Sequence, residues 1–580
     1  AFVALFIPGG FSLGGDGPKT ALAASVGLGN ISLYLSDQGY FNERLAFNAF
    51  SHTWSLGVEE QFYLLFPLLL WLGMWAAARS VGWRGRLLAI AAIAIPTVFS
   101  FGWSVWESSA NPIGAFYLLT SRFWELGAGA LLALAFAFGL IRPPQGRRVG
   151  AFLVVGATAV AWALLFAEQA SFPFPWAIPA VMGTGLIIAA LQGDPDGLPG
   201  LGKSVFHNPF AITVGDWSYS LYLWHWAFIV FLRWTLGLEL WWHYVLATVL
   251  TFLFGWMSYR FVEQPILRRS FHVSLSPRKL VAAAAATTVF VAGSLYLGDR
   301  ATEPFLSLSV TAQGEIFDPP ASVGDPEEEY AHYGGWGDGR NVIVVGDSHA
   351  RHFGTLLTEL RAASGFEYRV LDDRECRVVG LLSAREGCSE YQDVVKEIIA
   401  SSNPGDLVLF SSLRTPRISS LINGQTQSQE QTLEGFMATQ TPEVHEQVLE
   451  DARGPLTELK EAGLFVVITS PTPVFPSPVF RCADWFNQMN PQCQGGFSVS
   501  REYIKSLAAP ANQRIDILEQ EGLVTRWDTF STLCPGSECS TLLNEHHLFF
   551  DGDHLSRWGN YLLMPSFLEL VSAEWGHPSA

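Results

Sequence analysis

Residues 341–350 read NVIVVGDSHA. Asn341–Val345 is a short β-branched run of the kind that forms a strand. Gly346-Asp347-Ser348-His349 follows at once, and Ala350–Ala363 then carries Phe353, Leu356, Leu357 and Leu360 at helical spacing. A strand, a tight turn bearing a serine and a helix expose a hydroxyl, and the helix N-terminus can stabilise an oxyanion. Asp406–Phe410 (DLVLF) and Leu464–Thr469 (LFVVIT) are two further apolar runs, separated by helical stretches. Strands alternating with helices predict an α/β domain built on a parallel sheet.

A serine hydroxyl is a weak nucleophile until a base takes its proton and a third group orients that base. Asp551-Gly552-Asp553-His554-Leu555-Ser556 stands near the C-terminus. An aspartate three residues before a histidine, in a glycine-containing loop, can fold back onto the imidazole, fix its tautomer and stabilise the imidazolium. The order Ser348, Asp551, His554 predicts a nucleophile, an orienter and a base, with Asp553 as a competing orienter.

Outward from this region the chain changes character. It has 580 residues, a net charge of −18, 49% hydrophobic and 15% charged residues, and a mean hydropathy of +0.24. So few charges exclude a disordered polyelectrolyte, and the acidic balance excludes a generic nucleic-acid binder. From Ala1 to Gly298 there are 16 Lys+Arg and 13 Asp+Glu; from Asp299 to Ala580 there are 19 and 40. All six cysteines, Cys376, Cys388, Cys482, Cys493, Cys534 and Cys539, fall in the second part. The two parts are therefore expected to face different solvents.

In the first part, Gln61–Ala78, Leu87–Trp106, Val149–Ala167, Phe172–Gly193, Leu240–Tyr259 and Leu280–Gly298 are 18 to 22 residues long without a formal charge. About 20 such residues span a hydrocarbon core. Leu126–Ile141 and Trp217–Leu232 reach that length if polar neighbours enter the membrane, and Thr20–Leu35 is a possible ninth, short span. The expected organisation is an all-α polytopic membrane domain over 1–298 with eight to nine spans, an acidic linker over 299–340 with little packing of its own, and the α/β domain over 341–580. Cations alternate between loops. Arg79, Arg84 and Arg86, then Arg142, Arg147 and Arg148, then Lys203, then Arg268, Arg269, Arg278 and Lys279 sit two spans apart, whereas the loops around Glu107, Glu168 and Glu239 are poorer in them. Basic loops face the cytoplasm, which places everything after Asp299 outside the cell membrane. An even number of cysteines confined to that side fits an oxidising compartment. Their spacing suggests the pairs Cys376–Cys388, Cys482–Cys493 and Cys534–Cys539, against the alternative of six buried thiols. No Cys/His spacing resembles a zinc site, so no metal is expected.

GDSHA after a strand and DGDHLS near the C-terminus resemble the first and last blocks of the SGNH hydrolase family, whose fold is a flavodoxin-like parallel sheet. The resemblance implies Ser348, Asp551 and His554 as the triad, with the Ser348 N–H in the oxyanion hole. The family's G-x-N-D block is not visible; after DLVLF the chain reads Ser411-Ser412-Leu413-Arg414, and Arg414 is the candidate oxyanion donor there. In the first part, His52-Thr-Trp-Ser-Leu-Gly-Val-Glu59-Glu60-Gln-Phe-Tyr63, Arg122-Phe-Trp-Glu125, Ser218–Trp226 and Val262–Pro265 resemble blocks of the acyltransferase-3 family of membrane O-acyltransferases. Together the two resemblances cover nearly the whole chain and imply the fused form. Family members begin with two or three further spans, so those spans are expected to be missing ahead of His52.

Charges within spans are costly and mark function or a structural ion pair. His52, Glu59, Glu60, Arg122 and Glu125 are the membrane-domain candidates. Arg122 is expected to pair with Glu59 or Glu60, or to contact acceptor or donor. His225, flanked by Trp224 and Trp226, reads as part of an aromatic belt. The resemblance implies an acyl group, acetyl first, taken from cytoplasmic acyl-CoA as donor substrate, with no bound cofactor, and passed to a hydroxyl of an envelope glycan: O-antigen, peptidoglycan or exopolysaccharide. The other partner is membrane lipid. A membrane-tethered carbohydrate esterase and a non-catalytic scaffold or transporter are the alternatives.

Overall fold

The computed structural model describes residues 17–36, 47–78, 83–167, 172–192, 208–267, 277–301, 307–311, 314–320, 322–372, 379–383, 391–418 and 429–576. Two compact units emerge: Ala1–Arg233 with Leu240–Leu308, and Trp234–Glu239 with Ser309–Ala580.

In the first unit the apolar runs fold as the helices Trp54–Ala78, Trp83–Ala110, Leu119–Ala137, Arg147–Phe166, Ala177–Leu191, Pro209–Thr235, Trp241–Ser258 and Pro277–Ala301. Among the described residues four stretches are long and apolar enough, by length and composition, to cross a membrane: Trp83–Ala110, Pro112–Ala137, Arg147–Phe166 and Trp241–Leu267. Thr20–Leu35 is not one helix. It is broken into Gly17–Ala24 and Gly29–Ser36, with Gly27 between them at φ +73°. The run from Phe172 enters its helix only at Ala177, because Pro173 and Pro175 lack the N–H a helix interior needs.

The helix Trp83–Ala110 shows what solvent this unit is built for. It buries Ala89, Ile93, Thr97, Ser100, Ser104 and Glu107 along one stripe, while Ile95, Val98 and Phe99 are 64% or more exposed. Small and polar residues inward with large apolar residues outward suit lipid rather than water. Glycine makes the same point where Arg147–Phe166 meets Ala177–Leu191. A Cβ on Gly183 would lie 2.6 Å from the Gly156 carbonyl oxygen, and one on Gly156 would lie 2.7 Å from that of Gly183. Gly183→Val is expected to push these helices apart at a cost of about 1–3 kcal/mol. An unchanged thermal midpoint in detergent would refute the contact.

The second unit is an α/β domain. Strands β1 (Asn341–Gly346), β2 (Glu367–Asp372), β3 (Leu407–Ser411), β4 (Phe465–Thr469) and β5 (Thr525–Trp527) form one parallel sheet in the order β2-β1-β3-β4-β5. Alternation along β1 sends Val342 and Val344 to a core with Phe353, Leu356 and Phe567, and Ile343 and Val345 to a second core with Ile398, Leu449 and Leu456. Both faces are thus covered. The strand order reverses between β1 and β3, and such a switch point opens a crevice at the carboxyl ends of the strands.

The expected linker over 299–340 needs correction from Ser309 onward. Ser309 Oγ and the Val310 N–H donate to the Asp484 carboxylate at 2.7 and 2.8 Å. Phe317 is buried with its ring 5.2 Å from that of Phe550, and Tyr330 joins the first core. Its acidic, proline-rich composition hid apolar anchors spaced too widely to show a period. Cys482–Cys493 and Cys534–Cys539 are disulfide-bonded; Cys376 and Cys388 lie outside the described residues.

Candidate active site

β1 ends at Gly346, paired with Ser411 of β3 and Asp372 of β2. A Cβ there would fall 1.6 Å from the Ser411 carbonyl oxygen, so only glycine allows the chain to turn this close to β3. Asp347 then ties two turns together. Its carboxylate accepts the His349 N–H at 2.9 Å and the Leu413 N–H at 3.1 Å. The result leaves Ser348 exposed at the switch point.

The loop before the last helix, Arg557–Trp575, supplies the facing groups. Asp551 folds back on its own loop, accepting the N–H of Asp553 at 2.9 Å and of His554 at 2.7 Å on Oδ1. Its Oδ2 lies 2.7 Å from His554 Nδ1, and His554 Nε2 lies 2.7 Å from Ser348 Oγ. With the proton on Nδ1 donated to Asp551, Nε2 accepts from the serine hydroxyl. Asp553 lies farther from His554 Nδ1, at 3.5 Å, and is engaged elsewhere: its Oδ2 accepts from His349 Nε2 at 3.2 Å and from Arg417 Nε at 2.8 Å.

These placements set the protonation states. Burial pulls the His554 pKa down, but the charge and hydrogen bond of Asp551, with Asp553 behind it, carry it up to about 9. Burial works to raise Asp553, yet the His349 hydrogen bond and the charges of His554 and Arg417 hold it well below the usual carboxylate range. His352, buried beside His349 and His554, is driven far below an ordinary histidine, first by burial and then by those two rings. Among the described residues His349, Asp553 and His554 bring metal-capable atoms within 4.8 Å of one another. Asp553 Oδ2 is already shared by an imidazole and a guanidinium, so this cluster is an ion-pair network rather than a cation site.

Arg414 is a correction. Its side chain is fully buried, with Nη1 on the Thr469 carbonyl at 3.0 Å and Nη2 on the Phe410 carbonyl at 3.2 Å. It closes the ends of β3 and β4 from within, where no oxyanion on the exposed Ser348 can use it. The cation that reaches the crevice is Arg417, three residues on, which sequence reading missed. Its signal was weak: an arginine in the segment after a strand that only the sheet order places beside β1.

In the first unit Arg122 pairs not with Glu59 or Glu60 but with Glu125, one turn along its own helix, at 3.1 Å. Its guanidinium is caged by Trp54 and Phe172, 5.1 and 4.9 Å away. Aromatic faces attract a desolvated cation, which lets the arginine stay buried with no carboxylate from a second helix among the described residues. Glu59 and Glu60 sit in the first turns of Trp54–Ala78. His52 lies 5.3 Å from the Tyr222 ring and 5.5 Å from that of His225, and both its ring nitrogens are buried without a hydrogen bond among the described residues. Tyr222 binds Ser55 Oγ at 2.6 Å and donates to the His52 carbonyl. His225 thus stands in a His–Tyr–His cluster as well as between two tryptophans.

Residues 1–260 match the family described as "Acyltransferase domain", and residues 316–569 match "SGNH domain (fused to AT3 domains)". The chain is 28% identical over 261 residues to "O-acetyltransferase OatA" of Staphylococcus aureus, covering 44% of this chain and 42% of that protein. It is 26% identical over 262 residues to "Peptidoglycan O-acetyltransferase OatA" of Listeria monocytogenes, covering 43% and 40%. The chain thus matches about two fifths of the length of these curated relatives. A solved structure, the lipopolysaccharide acetyltransferase periplasmic domain of Salmonella ser. Paratyphi A, is 13% identical with a TM-score of 0.29, covering 43% of this chain and 98% of that one.

Proposed function

The chain belongs to the acyltransferase-3 family, in the form that carries a fused SGNH domain, and from that premise we propose that it transfers an acetyl group to a hydroxyl of an envelope glycan. The observation that carries the reading is the hydrogen-bonded line Ser348 Oγ, His554, Asp551 at the switch point of the α/β domain. Peptidoglycan is the favoured acceptor, because it is the one named for the Listeria relative. The donor is acetyl-CoA on the cytoplasmic side, and the first unit passes the acetyl group outward. This division is supported by the cation-rich loops of the first part and the cysteines of the second.

In the first half-reaction His554 Nε2 takes the Ser348 proton, Oγ bonds the acyl carbon, and the departing donor group leaves with the proton from His554. In the second, Nε2 takes the proton of a sugar hydroxyl, the sugar oxygen bonds the acyl carbon, and Ser348 Oγ leaves and regains its proton. Asp551 holds the imidazole and balances its positive charge in both. The Ser348 N–H faces the developing oxyanion. Water in place of the sugar would give an esterase.

The test is glycan acetate released by mild alkali from cells with and without the full chain. Acetate that rises with expression supports transfer. Acetate that falls makes the chain a deacetylase, and no change removes the reading.

A further inference from the structure

Away from Ser348, the second unit holds a cavity of about 600 Å³ at the carboxyl ends of β4 and β5, lined among others by Gln440, Ser470, Arg501, Lys505, Arg514 and Arg526. Its charge runs against that of its surroundings, since the chain from Asp299 onward carries 40 acidic and 19 basic residues. Arg526 is neutralised by Asp516 and lies 3.7 Å from Glu519. Asp528, also on the wall, caps the helix Thr529–Leu533 through the Ser531 N–H at 3.1 Å. Arg501, Lys505 and Arg514 have no carboxylate partner among the described residues. Arg514 is fully buried; Nη1 donates to the Leu381 carbonyl at 2.9 Å, and Nε and Nη2 have no partner. Gln440 Oε1 is likewise buried and unpaired, and the Phe530 ring lies 5.6 Å from the Arg501 guanidinium. Unneutralised cations gathered on and behind one wall favour an anion in the cavity.

We propose that this cavity binds a carboxylate- or phosphate-bearing stretch of a glycan. Arg501 and Lys505 meet its charge, Arg514 adds positive potential from behind the wall, and Phe530 offers a face for a ring. The inference deepens the proposed function and rests on it for taking that glycan as the acetyl acceptor. β5 is three strand spacings from β1 on the same edge of the sheet, about 14 Å at ~4.8 Å each. One extended oligosaccharide can therefore lie across the crevice with an anionic unit here and a hydroxyl at Ser348.

The experiment measures binding to the full chain in nanodiscs, with hexagalacturonic acid, neutral chitohexaose and polyphosphate as probes. Hexagalacturonic acid is expected to bind about tenfold more tightly than chitohexaose, and Lys505→Glu to remove about tenfold of that affinity without touching the neutral probe. Lys505 is exposed, so the variant folds. Polyphosphate that competes, and is weakened equally by Lys505→Glu, assigns the site to phosphate-bearing glycans; failure to compete assigns it to carboxylates. Equal binding of charged and neutral oligosaccharides, or binding indifferent to both Lys505→Glu and Arg501→Gln, overturns the proposal. Ser348→Ala leaves this binding unchanged, so loss of the transfer reading and loss of the binding reading are separate results.

Discussion

Ser348→Ala is expected to lower glycan acetylation by about 10⁴-fold or more while leaving the protein folded and membrane-bound. The side chain is exposed and its hydroxyl is bonded to His554 Nε2 at 2.7 Å. Removing it therefore deletes the acyl carrier without opening a cavity or stranding a buried group. What remains is His554 held by Asp551, which can activate a sugar hydroxyl but has no acyl-serine to present to it. Acetate released from the glycan of cells carrying the variant measures the loss. Persistence at the parent level means that transfer does not pass through the α/β domain. A rise above the parent level means that this domain removes acetyl groups.

The second large effect is at Asp551. Asp551→Asn keeps the shape but removes the charge that fixes the Nδ1 proton and stabilises the imidazolium, at an expected cost of about 10⁴-fold in turnover. It also moves the pH profile. In the parent, His554 titrates at about 9, so below that pH most of the imidazole is already protonated and cannot take the serine proton. Turnover should climb through neutrality, reach half its maximum near pH 9 and level above it. Without Asp551 the raising influence falls, and the limb should shift toward the ordinary histidine value of 6.5. Stability runs the other way. A folded pKa above 6.5 stabilises the fold fully below 6.5, and that contribution is lost as pH rises through about 9. Asp553→Asn is the control. It breaks the contacts to His349 and Arg417, so it should reduce the thermal midpoint more than Asp551→Asn and turnover less. Equal turnover losses, or a profile that Asp551→Asn does not move, would show that the two aspartates share the orienting role.

Much of this site was legible because its parts are local. NVIVVGDSHA encodes a strand, a turn and a helix through neighbouring residues. Asp551 and His554 are close enough in the chain to meet without help from the rest of the fold. Arg414 misled because its position after β3 is local but its environment is not: the ends of β3 and β4 enclose it. Arg122 misled similarly, since aromatic residues from Trp54 to Phe172 replaced the acidic partner expected on another helix. The segment from Ser309 reads as a linker until Asp484 and Phe550, more than 150 residues away in the chain, are set beside it.

By itself the sequence determined the contrast between an apolar and an acidic part, the helical first part, the parallel α/β second part and the order of Ser348, Asp551 and His554. Hydropathy, strand–turn–helix punctuation and short-range spacing are carried by a few adjacent side chains. Tertiary structure alone decided that Arg417 meets Asp553 beside the triad, and that Arg501, Lys505 and Arg514 gather with no carboxylate partner among the described residues. Those outcomes depend on the sheet order β2-β1-β3-β4-β5, which brings loops distant in the chain to one edge, and charges act through space rather than along the chain.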